Sequence, residues 1–145
     1  MEKVVDWKND GEILRDLRGD NGKIKSRPQN TRYYFKEGLT WSTITSYKLS
    51  LRYMNNCIFG GGGSAMFTKN NLLYYLAYVN SCVSEYVLSL LNPTLNFLVG
   101  DILSLPIVIE NINVVESIAS QNISLSRTDW DSFETSWDFK RNPLV

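Results

Sequence analysis

Histidine is absent from this 145-residue sequence, and cysteine occurs only twice, at Cys57 and Cys82. Without imidazole, the chain has no Ser-His-Asp or Cys-His nucleophile system and no histidine general base. Two cysteines without histidine do not form a common zinc site and are too few for a disulfide framework. We therefore interpret both cysteines as ordinary apolar side chains and expect no disulfide. The lack of histidine also argues against an independent enzyme.

Long apolar runs are also missing, since no stretch approaches the ~18 apolar residues that a membrane-spanning helix needs. Residues 1–7 do not have the charged and then apolar layout of a signal peptide. The composition is instead 43% hydrophobic and 12% aromatic, which is typical of a folded globular domain. These features predict a soluble, cytoplasmic chain with no membrane partner.

Net charge is formally zero, but the charges are segregated along the chain. Residues 22–69 contain eight basic side chains and one acidic side chain, whereas residues 70–145 contain three basic and eight acidic ones. The first of these segments has a net charge of +7 and the second of −5. Charge alone leaves two interpretations open, which are an anionic ligand or two solvated faces that attract each other.

Turn signals fill the first third of the chain, apart from a short helix predicted around residues 12–17. Aromatic and β-branched residues predict strands at 32–36 and 39–45, and the β pattern continues at 49–53 and 57–59. The glycine-rich stretch at 60–64 has no Lys and Ser/Thr in P-loop positions. It predicts a tight turn or a bulge in the native chain and not a phosphate cradle.

Apolar residues at helical spacing predict one long helix over residues 71–91, with Thr68 as its cap and Asn92-Pro93 at its end. We assign the tyrosines of this helix to packing; they are Tyr74, Tyr75, Tyr78 and Tyr86. Residues 102–109 predict a buried strand with a proline at an edge or bulge, and residues 113–122 predict a second helix.

The predicted fold is α+β, with a twisted and mainly antiparallel sheet that packs against one long helix. We expect two regions in the chain. Residues 1–110 form the α+β domain, and residues 111–145 form a helical, acidic and aromatic extension that was cut from a longer chain.

Several segments together carry a resemblance to a known family. They are Tyr34 to Ser42, Ile44-Thr45-Ser46, Arg52-Tyr53, Leu91 to Phe97, Gly100-Asp101-Ile102 and Trp130 to Glu134. Along about residues 5–144, the chain resembles the PglX-type adenine-specific DNA methyltransferases of BREX phage-defence systems, which are similar to type IIG restriction-modification enzymes. The resemblance is to the region that follows the catalytic domain, and it implies a target-recognition-like domain. Residues 71–109 also resemble, more weakly, the recognition domains of type I specificity subunits.

The catalytic motifs of such methyltransferases are missing from this sequence. An adenine N6 methyltransferase needs an Asn/Asp-Pro-Pro-Tyr/Phe motif, but the only Asn-Pro pairs here, Asn92-Pro93 and Asn142-Pro143, do not continue in that way. No glycine-rich turn joins a predicted strand to a predicted helix. We expect that this chain alone has no catalytic residues and no metal, and that S-adenosylmethionine belongs to the full-length enzyme.

With catalysis placed elsewhere, the resemblance implies that double-stranded DNA is the ligand of the basic segment. The candidate DNA-binding residues are Lys23, Lys25, Arg27, Thr45, Ser46, Tyr47, Lys48 and Arg52. The cations would neutralise phosphates and the polar side chains would approach base edges. Other expected partners are the catalytic domain of the same full-length chain and further defence-system subunits.

Two alternatives remain open at the level of the sequence. In one, the chain is a structural segment that docks on the catalytic domain or a partner subunit without contacting DNA. In the other, it is a small free-standing enzyme, which would require turnover by the isolated chain.

Overall fold

The computed structural model of the protein describes residues 4–60 and 62–143. Its helices are α1 (Lys8–Arg15), α2 (Leu72–Val79), α3 (Cys82–Leu91), α4 (Val99–Leu103) and α5 (Ile112–Trp130), and its strands are β1 (Gly38–Ser42), β2 (Arg52–Met54) and β3 (Gly63–Met66). Two compact units are present, one made of residues 1–32 and 126–145 and the other of residues 33–125. The division at residue 110 that we inferred from the sequence stays a prediction.

An antiparallel sheet of three strands, in the order β2-β1-β3, lies in the unit of residues 33–125. In its register, Thr40 of β1 lies opposite Arg52 of β2 and Ala65 of β3. Because side chains alternate along a strand, Leu39 and Trp41 point to one face of the sheet, and Thr40 and Ser42 point to the other. The predicted α+β class with an antiparallel sheet is confirmed.

The core of this unit forms on the Leu39 and Trp41 face. Trp41 is 1% exposed, and its indole Nε1 donates a hydrogen bond to the Phe97 carbonyl at 3.1 Å. The core residues are Leu39, Trp41, Leu49, Leu51, Leu76, Val79, Leu88, Phe97, Ile102 and Leu105. They come from the sheet, from α2, α3 and α4, and from the loops between these elements. The helices therefore cover the Leu39 and Trp41 face of the sheet, whereas Thr40 and Ser42 on the other face are half-buried.

The chain continues to pair beyond the end of β1. Phe97 N donates to the Thr43 carbonyl at 2.7 Å, and Thr45 N donates to the Leu95 carbonyl at 3.0 Å. An isolated antiparallel bridge joins Ile44 and Asn96 between these two bonds. Residues 43–45 are therefore fixed to residues 95–97, which lie far away in the sequence.

The single long helix predicted over residues 71–91 is wrong, because the chain forms two helices with a break at Asn80 and Ser81. Asn80 donates its side-chain amide to the Leu51 carbonyl and accepts from Leu51 N, both at 2.9 Å. Ser81 caps α3 by accepting a hydrogen bond from Ser84 N at 3.3 Å. The polar side chains thus compete with helix continuation for the backbone.

The ends of these helices agree only partly with the sequence-based expectation. Asn71, with a φ of 59°, occupies the N-cap position of α2 in place of Thr68, whose hydroxyl donates to the Asn70 carbonyl instead. At the other end, Asn92 is extended and terminates α3 before Pro93, as predicted.

The strand predicted over residues 102–109 is also wrong. Its first two residues, Ile102 and Leu103, belong instead to helix α4 (Val99–Leu103). The Asp101 carboxylate accepts a hydrogen bond from Leu98 N at 2.7 Å and so stabilises the start of this helix. After α4, the hydroxyls of Tyr74 and Tyr78 donate to the carbonyls of Val108 and Pro106. Tyrosine side chains therefore satisfy carbonyls that a neighbouring strand would otherwise bond.

Residues 32–36 do not form the predicted strand, because Arg32 and Tyr33 belong to a 3₁₀ turn at Thr31–Tyr33. The rings of Tyr33 and Phe67 stack with centroids 4.9 Å apart, so aromatic packing replaces strand pairing here. Residues 57–59 are not a strand either, and the strand predicted over 49–53 begins only at Arg52.

Gly38 permits the close approach of this aromatic side chain to the sheet. A Cβ atom at Gly38 would lie 2.8 Å from ring atoms of Phe67 and 2.9 Å from the Met66 carbonyl oxygen. Any larger residue at position 38 would therefore displace β3 or the Phe67 ring.

The glycine-rich stretch forms a turn, as predicted, with Gly63 N donating to the Gly60 carbonyl at 3.0 Å. It leads into β3, and the Gly62 carbonyl accepts from Thr43 N at 3.4 Å. Gly61 lies outside the described residues. The turn precedes a strand and not a helix, in contrast to a phosphate-binding P-loop.

Several side chains differ in burial from the sequence-based expectation. Tyr74 is buried, and Tyr75 and Tyr78 pack against the core, but Tyr86 is exposed, so its assignment to packing is wrong. Cys57 and Cys82 are free and exposed.

In the unit of residues 1–32 and 126–145, α1 departs from regular helical geometry. Its residues Asn9, Asp10 and Gly11 have positive φ angles, and Arg15 forms an ion pair with Asp10 at 2.8 Å. Helix α5 extends well beyond the predicted residues 113–122 and enters this unit at its end. No helix in the described part of the chain has the length and apolar character needed to cross a bilayer.

Candidate nucleic-acid interface

The Thr40 and Ser42 face of the sheet is covered by the Phe67 ring near Gly38, and farther along it presents an exposed arginine. Arg52 is exposed, and its guanidinium Nη2 donates to the Ser42 hydroxyl at 2.9 Å. Thr40 lies directly opposite Arg52 in the register, two residues before Ser42, and donates its hydroxyl to the Ser64 carbonyl at 2.9 Å. A guanidinium has five N–H donors, and within the described residues only this one bond engages that of Arg52. The remaining donors are available to an anion or a base edge.

Ser42 was not among the residues that we inferred from the sequence, although it orients one of them. The signal was available, because alternation in β1 places positions 40 and 42 on the same face. What was missing was the register that brings Arg52 opposite Thr40.

The loop at residues 45–48 brings four of the candidate residues together. The Thr45 hydroxyl accepts from Tyr47 N at 3.4 Å and donates to the Lys48 carbonyl at 3.3 Å, which closes a compact turn. Ser46 is exposed, and Tyr47 has 80% of its surface exposed. An exposed tyrosine at the tip of a structured turn can stack or donate a hydrogen bond to a ligand.

Lys48 is engaged within the structure. Its Nζ lies 3.5 Å from the Glu85 carboxylate on α3, and both side chains are about half exposed. Exposed ion pairs contribute about 0–1 kcal/mol, so a phosphate can compete with Glu85 for the lysine. Lys48 is therefore a weaker candidate contact than Arg52.

A groove with a volume of about 370 Å³ lies between this loop and the C-terminal part of α3. Its lining residues include Tyr47, Lys48, Leu49, Glu85, Leu88 and Pro93. The adjoining Asn92 donates to the Asn96 carbonyl and to the Asp101 carboxylate, each at 2.9 Å, and accepts from Thr94 N at 2.9 Å. The Asn92-Pro93 pair thus organises a turn, and its amide is not free to hold the amino group of a base.

Lys23, Lys25 and Arg27 lie on a loop of the other unit. Backbone bonds from Gly19 N to the Lys23 carbonyl and from Lys25 N to the Leu17 carbonyl, each at 2.8 Å, give this loop the form of a short hairpin. All three cations are exposed. No carboxylate among the described residues lies within 4.0 Å of their charged groups, whereas Arg18 of the same loop pairs with Asp16. Residues 23–27 therefore form a small cationic patch.

The eight candidate residues thus fall into three groups, which are the cationic hairpin, the turn at residues 45–48 and the Arg52 sheet face. Over residues 4–60 and 62–143, no group of three or more cysteine, aspartate or glutamate side chains is arranged to hold a metal ion. The groups present hydrogen-bond donors and positive charge, which suit a polyanion.

Comparison with known proteins shows relatives along nearly the whole chain. The sequence is 40% identical to the adenine-specific methyltransferase BrxX of Escherichia coli O9:H4 (strain HS) over 149 aligned residues, and the alignment covers 99% of this chain. It is 38% identical to the adenine-specific methyltransferase PglX of Lacticaseibacillus casei (strain Zhang) over 146 aligned residues, and the alignment covers 98% of this chain. The chain spans only 12% of the length of each relative, so it corresponds to a segment of a larger protein. No family model matches the sequence.

Proposed function

We propose that this chain, which is homologous to a segment of the adenine-specific methyltransferases of BREX systems, is the part of such an enzyme that recognises double-stranded DNA. In this proposal its α+β unit is a target-recognition domain. The observation that carries the proposal is the exposed Arg52 guanidinium, which donates a hydrogen bond to the Ser42 hydroxyl on the same face of the sheet.

The chemistry of Arg52 suits both kinds of DNA contact. A guanidinium can bind a phosphate or the O6 and N7 atoms of guanine through two parallel hydrogen bonds. Because Ser42 restricts the side chain before binding, less conformational entropy is lost when a ligand arrives. The exposed Thr45 to Tyr47 turn adds polar groups that can approach base edges.

The cationic patch at residues 23–27 serves a different purpose in this proposal. Its lysines and arginine neutralise phosphates, which gives affinity without sequence preference. Sequence selection would then depend on Arg52 and the turn at residues 45–48.

Methyl transfer is assigned to another part of the full-length enzyme, where S-adenosylmethionine supplies the methyl group. The residues of this chain do not fit that role. The amide of Asn92 is used within its own turn, and the glycine-rich stretch leads into a strand and not into a helix. Here the chain positions the target adenine and does not react with it.

The test substitutes Arg52→Gln in the full-length enzyme, which removes the charge and the bidentate donors. We expect the affinity for its DNA site to fall by roughly 5- to 150-fold, corresponding to about 1–3 kcal/mol, and adenine methylation to fall with it. Ser42→Ala should give a smaller loss, since it frees the guanidinium without removing it. Binding is measured with duplex DNA at fixed salt, and methylation is measured by sequencing.

Lys140→Gln is the matched control, because it removes one exposed positive charge from the acidic C-terminal segment. It should leave DNA affinity within the error of the wild type. If Arg52→Gln behaves like this control in both measurements, DNA recognition by this surface is wrong. A structural segment that docks on the catalytic domain or a partner subunit would then be the better account.

A further inference from the structure

Helix α5 carries two stripes of apolar side chains. The first contains Val115, Ala119 and Ile123; Val115 is half-buried, Ala119 is buried and Ile123 packs against the core. In the second, Val114, Ile118 and Leu125 are 60%, 53% and 67% exposed. Because successive residues are rotated by about 100° in an α-helix, the centres of the two stripes lie about 130° apart around the helix axis.

The exposed stripe has the spacing of a helix-packing seam. Val114, Ile118, Gln121 and Leu125 follow each other at intervals of four, three and four residues, which is the alternation of the two core positions in a heptad. Gln121 is the single polar member. A polar residue at one position of such a seam fixes the register of the partner helix.

The charge content of this part of α5 is unusual for a helix that faces water. Residues 112–125 contain one charged side chain, Glu116, and the exposed stripe contains none. An ordinary surface helix places charged and polar residues opposite its buried side. The lack of cations also argues against phosphate contacts along this face.

The chain spans only 12% of the length of each relative. Most of a full-length enzyme of this kind therefore lies outside residues 1–145 and is available to cover the exposed stripe of α5.

We propose that the Val114, Ile118, Gln121 and Leu125 face of α5 packs against a helix from the part of the full-length methyltransferase outside residues 1–145. The partner helix has apolar side chains at heptad spacing and a polar side chain opposite Gln121. The proposal rests on the homology to a longer enzyme and not on DNA recognition. The seam fixes this segment to the rest of the enzyme, whatever the segment binds.

The experiment places a photoreactive amino acid at position 118 of the full-length enzyme, without DNA, and identifies cross-linked peptides by mass spectrometry. We expect an intramolecular link from position 118 to a peptide outside residues 1–145. The same probe at Ser120, which is exposed and lies away from both stripes, should give several-fold less of that product. A product of doubled mass, a link confined to residues 1–145, or equal yields at both positions would overturn the proposal.

A pair of substitutions provides a second measurement. Ile118→Asp should make α5 of the full-length enzyme several-fold more sensitive to limited proteolysis, because a carboxylate in the seam is unpaired. Ser120→Asp adds the same charge outside the seam and should leave the cleavage rate unchanged. Equal sensitivity of both variants contradicts the proposal. In the Arg52→Gln enzyme the cross-link at position 118 should persist, which separates this result from the outcome for DNA binding.

Discussion

Asn80 shows how much of this structure depends on single polar side chains. Its carboxamide binds both the N–H and the carbonyl of Leu51 at 2.9 Å, as a neighbouring strand would do. Leu51 itself is buried in the core. The side chain therefore joins the end of α2 to the segment that leads into β2, and it satisfies two backbone groups that would otherwise lack partners.

Asn80→Ala should lower the free energy of unfolding by about 1–3 kcal/mol, because two hydrogen bonds are lost and the Leu51 backbone groups lose their partners. Asn80→Asp should not restore this stability, because one carboxylate oxygen can still accept from Leu51 N but the other would face the Leu51 carbonyl oxygen, and two acceptors repel each other. Denaturant unfolding of the 145-residue chain measures both. Asn122→Ala, at an exposed position of α5, serves as the control and should be neutral or slightly stabilising. Equal stability of Asn80→Ala and wild type would show that the two hydrogen bonds between Asn80 and Leu51 do not contribute to stability.

At the scale of elements, side chains form hydrogen bonds with backbone groups on both sides of the break between α2 and α3. Ser81 caps α3 by accepting from Ser84 N at 3.3 Å. The hydroxyl of Ser84, a fully buried residue, donates back to the Tyr78 carbonyl near the end of α2 at 2.7 Å. Each helix end thus receives a side-chain partner, so the break costs few hydrogen bonds.

Ser81→Ala should destabilise the chain by about 1 kcal/mol, the usual cost of losing an N-cap. Ser89→Ala is the matched change within the same helix. Its hydroxyl donates to the Tyr86 carbonyl within α3, and its replacement should be neutral or favourable because alanine has the higher helix propensity. Thermal unfolding of the two variants compares them directly. Identical melting temperatures would contradict a capping role for Ser81.

These elements explain why the sequence predicts some of the fold and not the rest. The strand around Trp41 and the helix end at Asn92 depend on local patterns, and both were predicted. The break at Asn80 depends on a partner, Leu51, that lies 29 residues away. The absence of a strand after Ile102 likewise depends on tyrosine hydroxyls from α2. Contacts of this kind leave no periodic signal in a single sequence.

The candidate site shows the same limit. Sequence analysis identifies Arg52 and the cations at residues 23–27 as candidates because they lie in the basic segment and because the family resemblance implies a DNA ligand. Pairing between strands then adds Ser42 as the residue that orients Arg52, and packing between the 45–48 turn and α3 pairs Lys48 with Glu85. Both corrections arise from contacts between segments that are distant in the sequence.

At the scale of the whole molecule, the net charge of zero conceals a basic segment of +7 and an acidic segment of −5. A polyanion responds to the local charge and not to the average, because interactions beyond about 8 Å are largely screened at physiological ionic strength. Affinity for DNA should therefore depend strongly on salt despite the neutral total.

With roughly six phosphate contacts, the affinity of the full-length enzyme for duplex DNA should fall by about a thousandfold or more between 50 and 200 mM salt. Replacing Lys23, Lys25 and Arg27 together by glutamine should reduce the slope of log affinity against log salt by about 2–3. Titrations at four or more salt concentrations give this slope. A slope that does not change in the triple variant would remove the hairpin from the DNA interface.

The pairing of residues 43–45 with residues 95–97 determines where this protein can be divided. A graft that exchanged only residues 22–69 for those of a homologue would combine a foreign Thr43 segment with a native Phe97 segment and separate Trp41 from the carbonyl that its indole binds. A donor block that extends past Leu105 takes residues 43–45 and residues 95–97 from the same homologue, together with the buried side chains around them. The transferable piece is therefore set by hydrogen bonds between distant segments and not by the span of positive charge.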